Sequence, residues 1–354
     1  MSVLDDPSAY QRIDASSTRT IIRDLPRQCR VAWREGRALE LPPDYCSVDK
    51  VVILGMGGLV IAGDLLRSLA ALESPVPVFV HRDYGLPLTV NDRTLLVAMS
   101  YSGDTEETVS AFEEALSTDA KKLVITTGGR LLASARANGV PAFVFSYKST
   151  VRGALGYGLM SLLAIAEKVG IVGKKADDVE EAAILMEHMA GRIGVHAPLK
   201  RNAAKQLAAG LQGRLPVVYG AGLLAEVAHR WKTQFNENSK LWCFWEELPE
   251  ADHNAIVGYG LPEEIAARAF VIFLRGPALH PRVRMRYELT RQALQDAGVA
   301  SETVDAEGKS PLAQVLSTVF FGDYVSLYLA IQGGVDPSPT TAIADLKRWL
   351  GDQP

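Results

Sequence analysis

Two stretches of this chain share one grammar, and that grammar limits the folds open to it. Residues 51–70 read VVILGMGGLVIAGDLLRSLA, and residues 216–235 read PVVYGAGLLAEVAHRWKTQF. Each is a short apolar run, a Gly-x-Gly turn and a helical pattern. An apolar run without polar alternation is a strand covered on both faces, and its alternation with helices implies a parallel sheet between helical layers. The pattern continues with strands at 76–80, 94–99, 122–126 and 142–145, then at 241–244, 270–274 and 301–304. At 354 residues the chain is long for one core. The expectation is an α/β protein of two αβα sandwich domains with parallel sheets. They would be arranged as an N-terminal helical arm (1–47), a first domain (48–150), a helical connector (151–213) and a second domain ending in helices (214–354).

The arm has a helical pattern at 18–35, broken at Pro26. The connector holds a nearly all-apolar helix at 154–169 and a long Ala/Leu/Met-rich helical region at 177–211. A helix apolar all round is buried in a core or in a subunit interface, and the connector is expected to help form a dimer.

The most informative loop lies at 94–115, TLLVAMSYSGDTEETVSAFEEA. A strand runs into Ser100-Tyr101-Ser102-Gly103-Asp104-Thr105, and a helix follows with Val109, Phe112 and Leu116 on its apolar side. Free N–H groups and the positive end of the dipole at a helix start, joined by hydroxyl donors, form a cradle for phosphate. The same hydroxyls could instead only cap the helix. Gly55-Met56-Gly57-Gly58 also joins a strand to a helix, but Val60 stands where a dinucleotide fingerprint needs its third glycine. Gly57 and Gly58 read better as positions where backbone approaches a small ligand.

Composition narrows the classes further. The net charge of −4 argues against an electrostatic nucleic-acid surface, and no run approaches the length of a membrane span. The N-terminus lacks a secretory apolar segment, and Cys29, Cys46 and Cys243 are too dispersed for a disulfide framework or a zinc cluster. Cytoplasmic residence is expected, with all three cysteines read as buried structural thiols. In the second half, Glu237 ends a helical pattern, where the dipole disfavours a carboxylate and so favours a general base. His253 sits in a Pro-Glu-Ala-Asp-His-Asn loop, and Arg152 and Lys347 are singly ordinary.

Taken together these marks resemble the bifunctional phosphoglucose/phosphomannose isomerase family, built from two sugar-isomerase (SIS), flavodoxin-like domains. The resemblance rests on GMGG at 55–58, SYSGDTEET at 100–108, RGALGY at 152–157, FNENSK at 235–240, LPEADHNAIVG at 248–258 and the terminal VDP and IADLK segments. It implies that Ser100, Ser102 and Thr105, with Tyr101, Gly57 and Gly58, bind a hexose 6-phosphate. It implies Glu237 as the base that moves a proton between C1 and C2, and Arg152 as the cation for the enediolate oxygen. His253 and Lys347 would assist ring opening. No metal or organic cofactor is implied. A homodimer sharing His253 across subunits is implied, with a place in glycolysis or gluconeogenesis. Two positions depart from the family pattern: Leu59 where Ser is usual, and Asp104 where Asn is common. Leu59 is expected across the cleft, where it removes a donor; Asp104 repels a phosphate unless it points away as a cap. These two changes favour, as an alternative, a sugar-phosphate binder with impaired catalysis and a regulatory role.

Overall fold

The first helices are short because Asp and Pro interrupt them. In the computed structural model, which describes residues 2–352, α1 (Pro7–Ile13) is capped by Asp6, and α2 (Thr18–Arg23) gives way directly to α3 (Leu25–Ala38). Pro26 sits in the first turn of α3, where its missing N–H breaks no helical bond. The expected break therefore falls at Asp24.

The first sheet is built from β1 (Lys50–Gly55), α4 (Gly57–Ala70), β2 (Val78–His81), β3 (Thr94–Ser100), α5 (Glu106–Ala115), β4 (Lys121–Thr126), α6 (Gly129–Ala137) and β5 (Ala142–Val144). All pairings are parallel, in the order β2-β1-β3-β4-β5. Val51, Ile53, Leu95, Val97 and Met99 face the central core, while Val52, Leu54, Leu96 and Ala98 face α5 and α6 on the other side. The period of two in side-chain direction thus serves two apolar layers, which explains the unbroken apolar runs.

Next come α7 (Leu155–Lys168), α8 (Ala176–Ile193) and α9 (Ala203–Gly210). The helical region expected over 177–211 is two helices, separated after Ile193, where Gly194 is extended and Pro198 precedes a short turn. Residues 155–166 are all buried within the chain, with α3 and α4 packed on α7. The apolar surface of α7 is therefore covered by the N-terminal helices and not by a second subunit, which corrects the interface expectation for this helix.

The second sheet contains β6 (Leu215–Ala221), α10 (Ala225–Glu237), β7 (Phe244–Leu248), the single turn α11 (Glu263–Ala266), β8 (Ala269–Arg275), α12 (Pro281–Asp296) and β9 (Ala300–Asp305). Its parallel order is β7-β6-β8-β9. β7 begins at Phe244 rather than Leu241 because it is an edge strand: its solvent side tolerates Glu246 and Glu247, so apolarity does not mark it. The chain closes with α13 (Pro311–Gly333) and α14 (Thr341–Gly351). By length and composition α13 could cross a membrane, but 89% of its most apolar window is buried inside the fold, as expected of a core helix. Cys29 and Cys243 are buried as expected; Cys46 is exposed, because it closes a turn outside the core.

Candidate active site

Both sheets change winding direction at an internal strand, and open α/β sheets bind ligands at such switch points, beyond the C-terminal ends of the strands. In the first sheet the switch lies between β1 and β3. The loops leaving these strands are Gly55–Gly58 and residues 100–105, so Gly57, Gly58, Ser100, Tyr101, Ser102 and Thr105 meet at one edge. Neither α4 nor α5 receives a side-chain cap at its N-terminus. Two adjacent helix starts thus present uncapped N–H groups and the positive ends of their dipoles. In the second sheet the corresponding helices are α10, likewise without a side-chain cap, and α12, which starts with Pro281 and is capped by His280 Nδ1 accepting the Arg282 N–H at 3.2 Å. Of the two crevices, the first has the donor chemistry of an anion site.

The loop is held open by its own bonds. Ser100 Oγ accepts the Gly103 N–H at 3.0 Å and lies 2.9 Å from Thr105 Oγ1; Ser102 Oγ accepts the Asp104 N–H at 3.2 Å. Gly103 has φ +77°, and a Cβ there would stand 1.8 Å from the Gly128 carbonyl oxygen. Only glycine fits that turn. Asp104 turns away: its Oδ1 accepts the Arg130 N–H at 2.9 Å, in the first turn of α6. It acts as a cap for the next helix, which removes the reason to expect repulsion of a phosphate. Leu59 also departs from expectation. It is buried against Gly158 of α7, in the central core, and does not stand across the cleft. The Tyr101 hydroxyl donates to the Tyr147 carbonyl at 2.5 Å and accepts the Ser149 N–H at 3.1 Å, fixing the segment that leads to Arg152.

Arg152 follows β5 in the turn Val151–Ala154, at the same edge. Gly58 explains its closeness: a Cβ on Gly58 would lie 2.9 Å from Arg152 Cα, while one on Gly57 (φ +62°) would meet open space. Gly58 therefore admits the arginine backbone, and Gly57 leaves open space beside it. The Arg152 side chain is only 5% exposed and reaches into the second half of the chain. Nη1 donates to Glu237 Oε2 at 3.1 Å, Nε to Asn238 Oδ1 at 2.5 Å, and Nη2 to the carbonyls of Pro337 at 2.5 Å and Ser338 at 2.9 Å. Burial works against the charge of the guanidinium, and the Glu237 carboxylate beside it acts to restore it.

Glu237 is the last residue of α10, and its cation partner offsets the unfavourable dipole there. Its side chain is 22% exposed, so the carboxylate keeps access to solvent. His253 and Lys347 are not brought to it. His253 lies exposed beyond the C-terminal end of β7, in a turn locked to α12 by Asp252 bonds to Arg286 at 3.0 Å and Thr290 at 2.7 Å. Glu237 lies before the start of β7. The five residues of β7, at about 3.3 Å each, set the two apart by roughly 16 Å along the sheet. Lys347 projects from α14, which has no buried residue.

Sequence reasoning missed the residues that hold Arg152. Asn238, the Pro337 and Ser338 carbonyls, and Ser326, which accepts from Asn238 Nδ2 at 2.9 Å, come from separate elements. The available signal was the FNENSK and VDP segments, noted as marks without a role. Asp64, Glu226 and His229 bring possible metal-ligand atoms within 4.8 Å of one another. Asp64 is paired with Arg82 and Glu226 with Arg67, so this group reads as an ion-pair seam between α4 and α10.

An uncapped double helix start in a flavodoxin-order sheet, with a carboxylate–guanidinium pair beside it, defines the class as an open α/β protein with a small-anion crevice. The fold agrees with a solved glucose-6-phosphate isomerase-like protein from Thermus thermophilus, at a TM-score of 0.64 and 19% identity over 98% of this chain and 99% of that one. Residues 200–350 match the bacterial phospho-glucose isomerase C-terminal SIS domain family. The bifunctional phosphoglucose/phosphomannose isomerase of Caldicellulosiruptor bescii is 36% identical over 332 residues, covering 94% of this chain and 98% of the relative. That of Aquifex aeolicus is 34% identical over 313 residues, covering 88% and 93%. The chain belongs to the bifunctional phosphoglucose/phosphomannose isomerase family.

Proposed function

We propose that the protein interconverts glucose 6-phosphate or mannose 6-phosphate with fructose 6-phosphate. The observation that carries this reading is the Arg152–Glu237 pair, 3.1 Å apart, on the same sheet edge as the uncapped starts of α4 and α5. The phosphate binds at those helix starts, with Ser100, Ser102 and Thr105 adding hydroxyl donors. Glu237 takes the proton from C2 of the open-chain aldose, leaving its electron pair in an enediolate; the O2 proton passes to O1, and the Glu237 carboxyl, 22% exposed and exchanging with solvent, delivers a proton to C1 to give the ketose. Arg152 stabilises the charge that develops on the enediolate oxygen. C2 is planar in that intermediate, so the glucose and mannose epimers lead to the same species.

Ring opening needs proton transfer at the ring oxygen and at the anomeric hydroxyl, assigned to His253 and Lys347. The separation of His253 from Glu237 within one chain supports a homodimer in which His253 comes from the partner subunit. Lys347, on its exposed helix, is free in the same sense to approach a site. The regulatory alternative loses its motive, since Asp104 caps α6 and Leu59 packs in the core. A coupled assay with each hexose 6-phosphate tests the reading. Turnover in both directions is expected, and a protein that binds fructose 6-phosphate without forming product contradicts it.

A further inference from the structure

Four buried polar atoms behind Arg152 have no hydrogen-bond partner among the described residues: Arg230 Nε and Nη1, Gln234 Oε1 and Gln28 Oε1. Their three residues line one cavity of about 20 Å3, shared with Thr18, Arg152 and Asn238. The orientation of each group is set by its other bonds. Gln234 donates its amide N–H to Asp323 Oδ1 at 2.8 Å; Gln28 donates its own to the Gly153 carbonyl at 3.0 Å and to Tyr147 Oη at 3.1 Å. Flipping either amide would turn its oxygen toward the acceptors Asp323 Oδ1 or the Gly153 carbonyl, so both oxygens remain as acceptors. Arg230 can only donate, and its Nη2 is already engaged by both Asp323 oxygens, at 3.1 and 2.8 Å, and by the Arg152 carbonyl at 3.4 Å.

The cavity wall thus offers donors from one guanidinium and two amide acceptors. One water can accept from Arg230 and donate to both glutamines, and it needs about 10–15 Å3 and two to four polar partners. Leaving these groups dry would carry the full desolvation penalty of a guanidinium and two amides. The same residues organise the helix that carries the proposed base. Arg230, Gln234, Glu237 and Asn238 follow one face of α10 at helical spacing. Asp323 and Ser326 of α13 receive Arg230, Gln234 and Asn238 in turn. The Arg230–Asp323 pair is 1% and 8% exposed, so the seam between α10 and α13 closes over a buried ion pair.

We infer that this cavity is an internal water site and that Arg230 is a positioning residue, which acts by holding Arg152 and the end of α10 in place for proton transfer. The positioning role rests on the isomerase reading; the water site does not. Arg230→Lys keeps a cation for Asp323 but loses the Nε and Nη1 donors that the planar guanidinium presents separately from its Asp323 contact. Gln28→Leu removes one acceptor from the N-terminal arm, together with the amide donor to the Gly153 carbonyl and Tyr147 Oη, and leaves Glu237 and the side-chain partners of Arg152 in place. Both variants are expected to fold, with kcat for fructose 6-phosphate lowered about tenfold in Arg230→Lys and about threefold in Gln28→Leu, and KM held within about twofold. A merely structural role would lower the melting temperature and leave kcat per folded site unchanged. A high-resolution crystal structure of the wild type should show one ordered water within hydrogen-bond reach of Arg230, Gln234 Oε1 and Gln28 Oε1, lost in Arg230→Lys. A cavity without that water overturns the site, and wild-type kcat in both variants overturns the positioning role. If the wild type shows no isomerase activity, the positioning role falls with the functional reading, and the electron density alone decides the water site.

Discussion

Glu237→Gln is expected to lower kcat for hexose 6-phosphate isomerisation by roughly 100- to 10,000-fold, the range for loss of a general base. The substitution is nearly isosteric, and a glutamine oxygen can still accept from Arg152 Nη1, which the carboxylate does at 3.1 Å. The fold and the proposed phosphate cradle at residues 100–105 are therefore expected to be retained. Sugar-phosphate affinity should stay within about threefold of the wild type, because the lost term acts in the transition state. Arg152 would lose its anionic partner while keeping the carbonyls of Pro337 and Ser338, so its position should persist. Steady-state kinetics beside a titration with fructose 6-phosphate separate the two effects. A variant that turns over at the wild-type rate removes Glu237 from the proton transfer.

The second large effect concerns the distance between Glu237 and His253. If each site takes Glu237 from one subunit and His253 from the other, Glu237→Gln and His253→Asn homodimers are both impaired, but a mixed dimer contains one intact site. Random exchange between equal amounts of the two variants makes half the dimers mixed, which restores about a quarter of the wild-type sites. Native mass spectrometry confirms that exchange took place, and the coupled assay reads the recovered activity. Recovery near that level places the site across the dimer. Formation of mixed dimers without recovery confines both residues to one chain and contradicts the shared site.

Local chemistry made the first crevice legible. The change from an apolar strand to hydroxyls and glycine at Ser100–Thr105, then to the helical period of Val109 and Phe112, carries the loop and its orientation. Gly58 is a point of close backbone approach, although to the Arg152 backbone rather than to a ligand, whereas Gly57 faces open space. What was not legible depends on contacts between distant elements. The FNENSK and VDP segments mark this region, but not that Asn238 accepts from Arg152, 86 residues earlier, or that Pro337 and Ser338 supply carbonyls to the same guanidinium. The Arg230–Asp323 pair is hidden for the same reason, since each charge looks like an ordinary helix residue until α10 meets α13. Direction around a helix was the other gap. Leu59 lies one residue past the Gly57-Gly58 turn, yet the first turn of α4 points it into the core against Gly158. The apolar α7 suggested a subunit interface only because the sequence does not reveal that α3 covers it.

The central claim is proton transfer between C1 and C2 by Glu237, and solvent isotope incorporation addresses it most directly. The wild-type protein is incubated with fructose 6-phosphate in deuterium oxide, and the products are followed by proton NMR. The account predicts glucose 6-phosphate or mannose 6-phosphate carrying deuterium at C2, and no incorporation with Glu237→Gln. Binding of fructose 6-phosphate without product and without exchange at C1, or undiminished incorporation by Glu237→Gln, would contradict it.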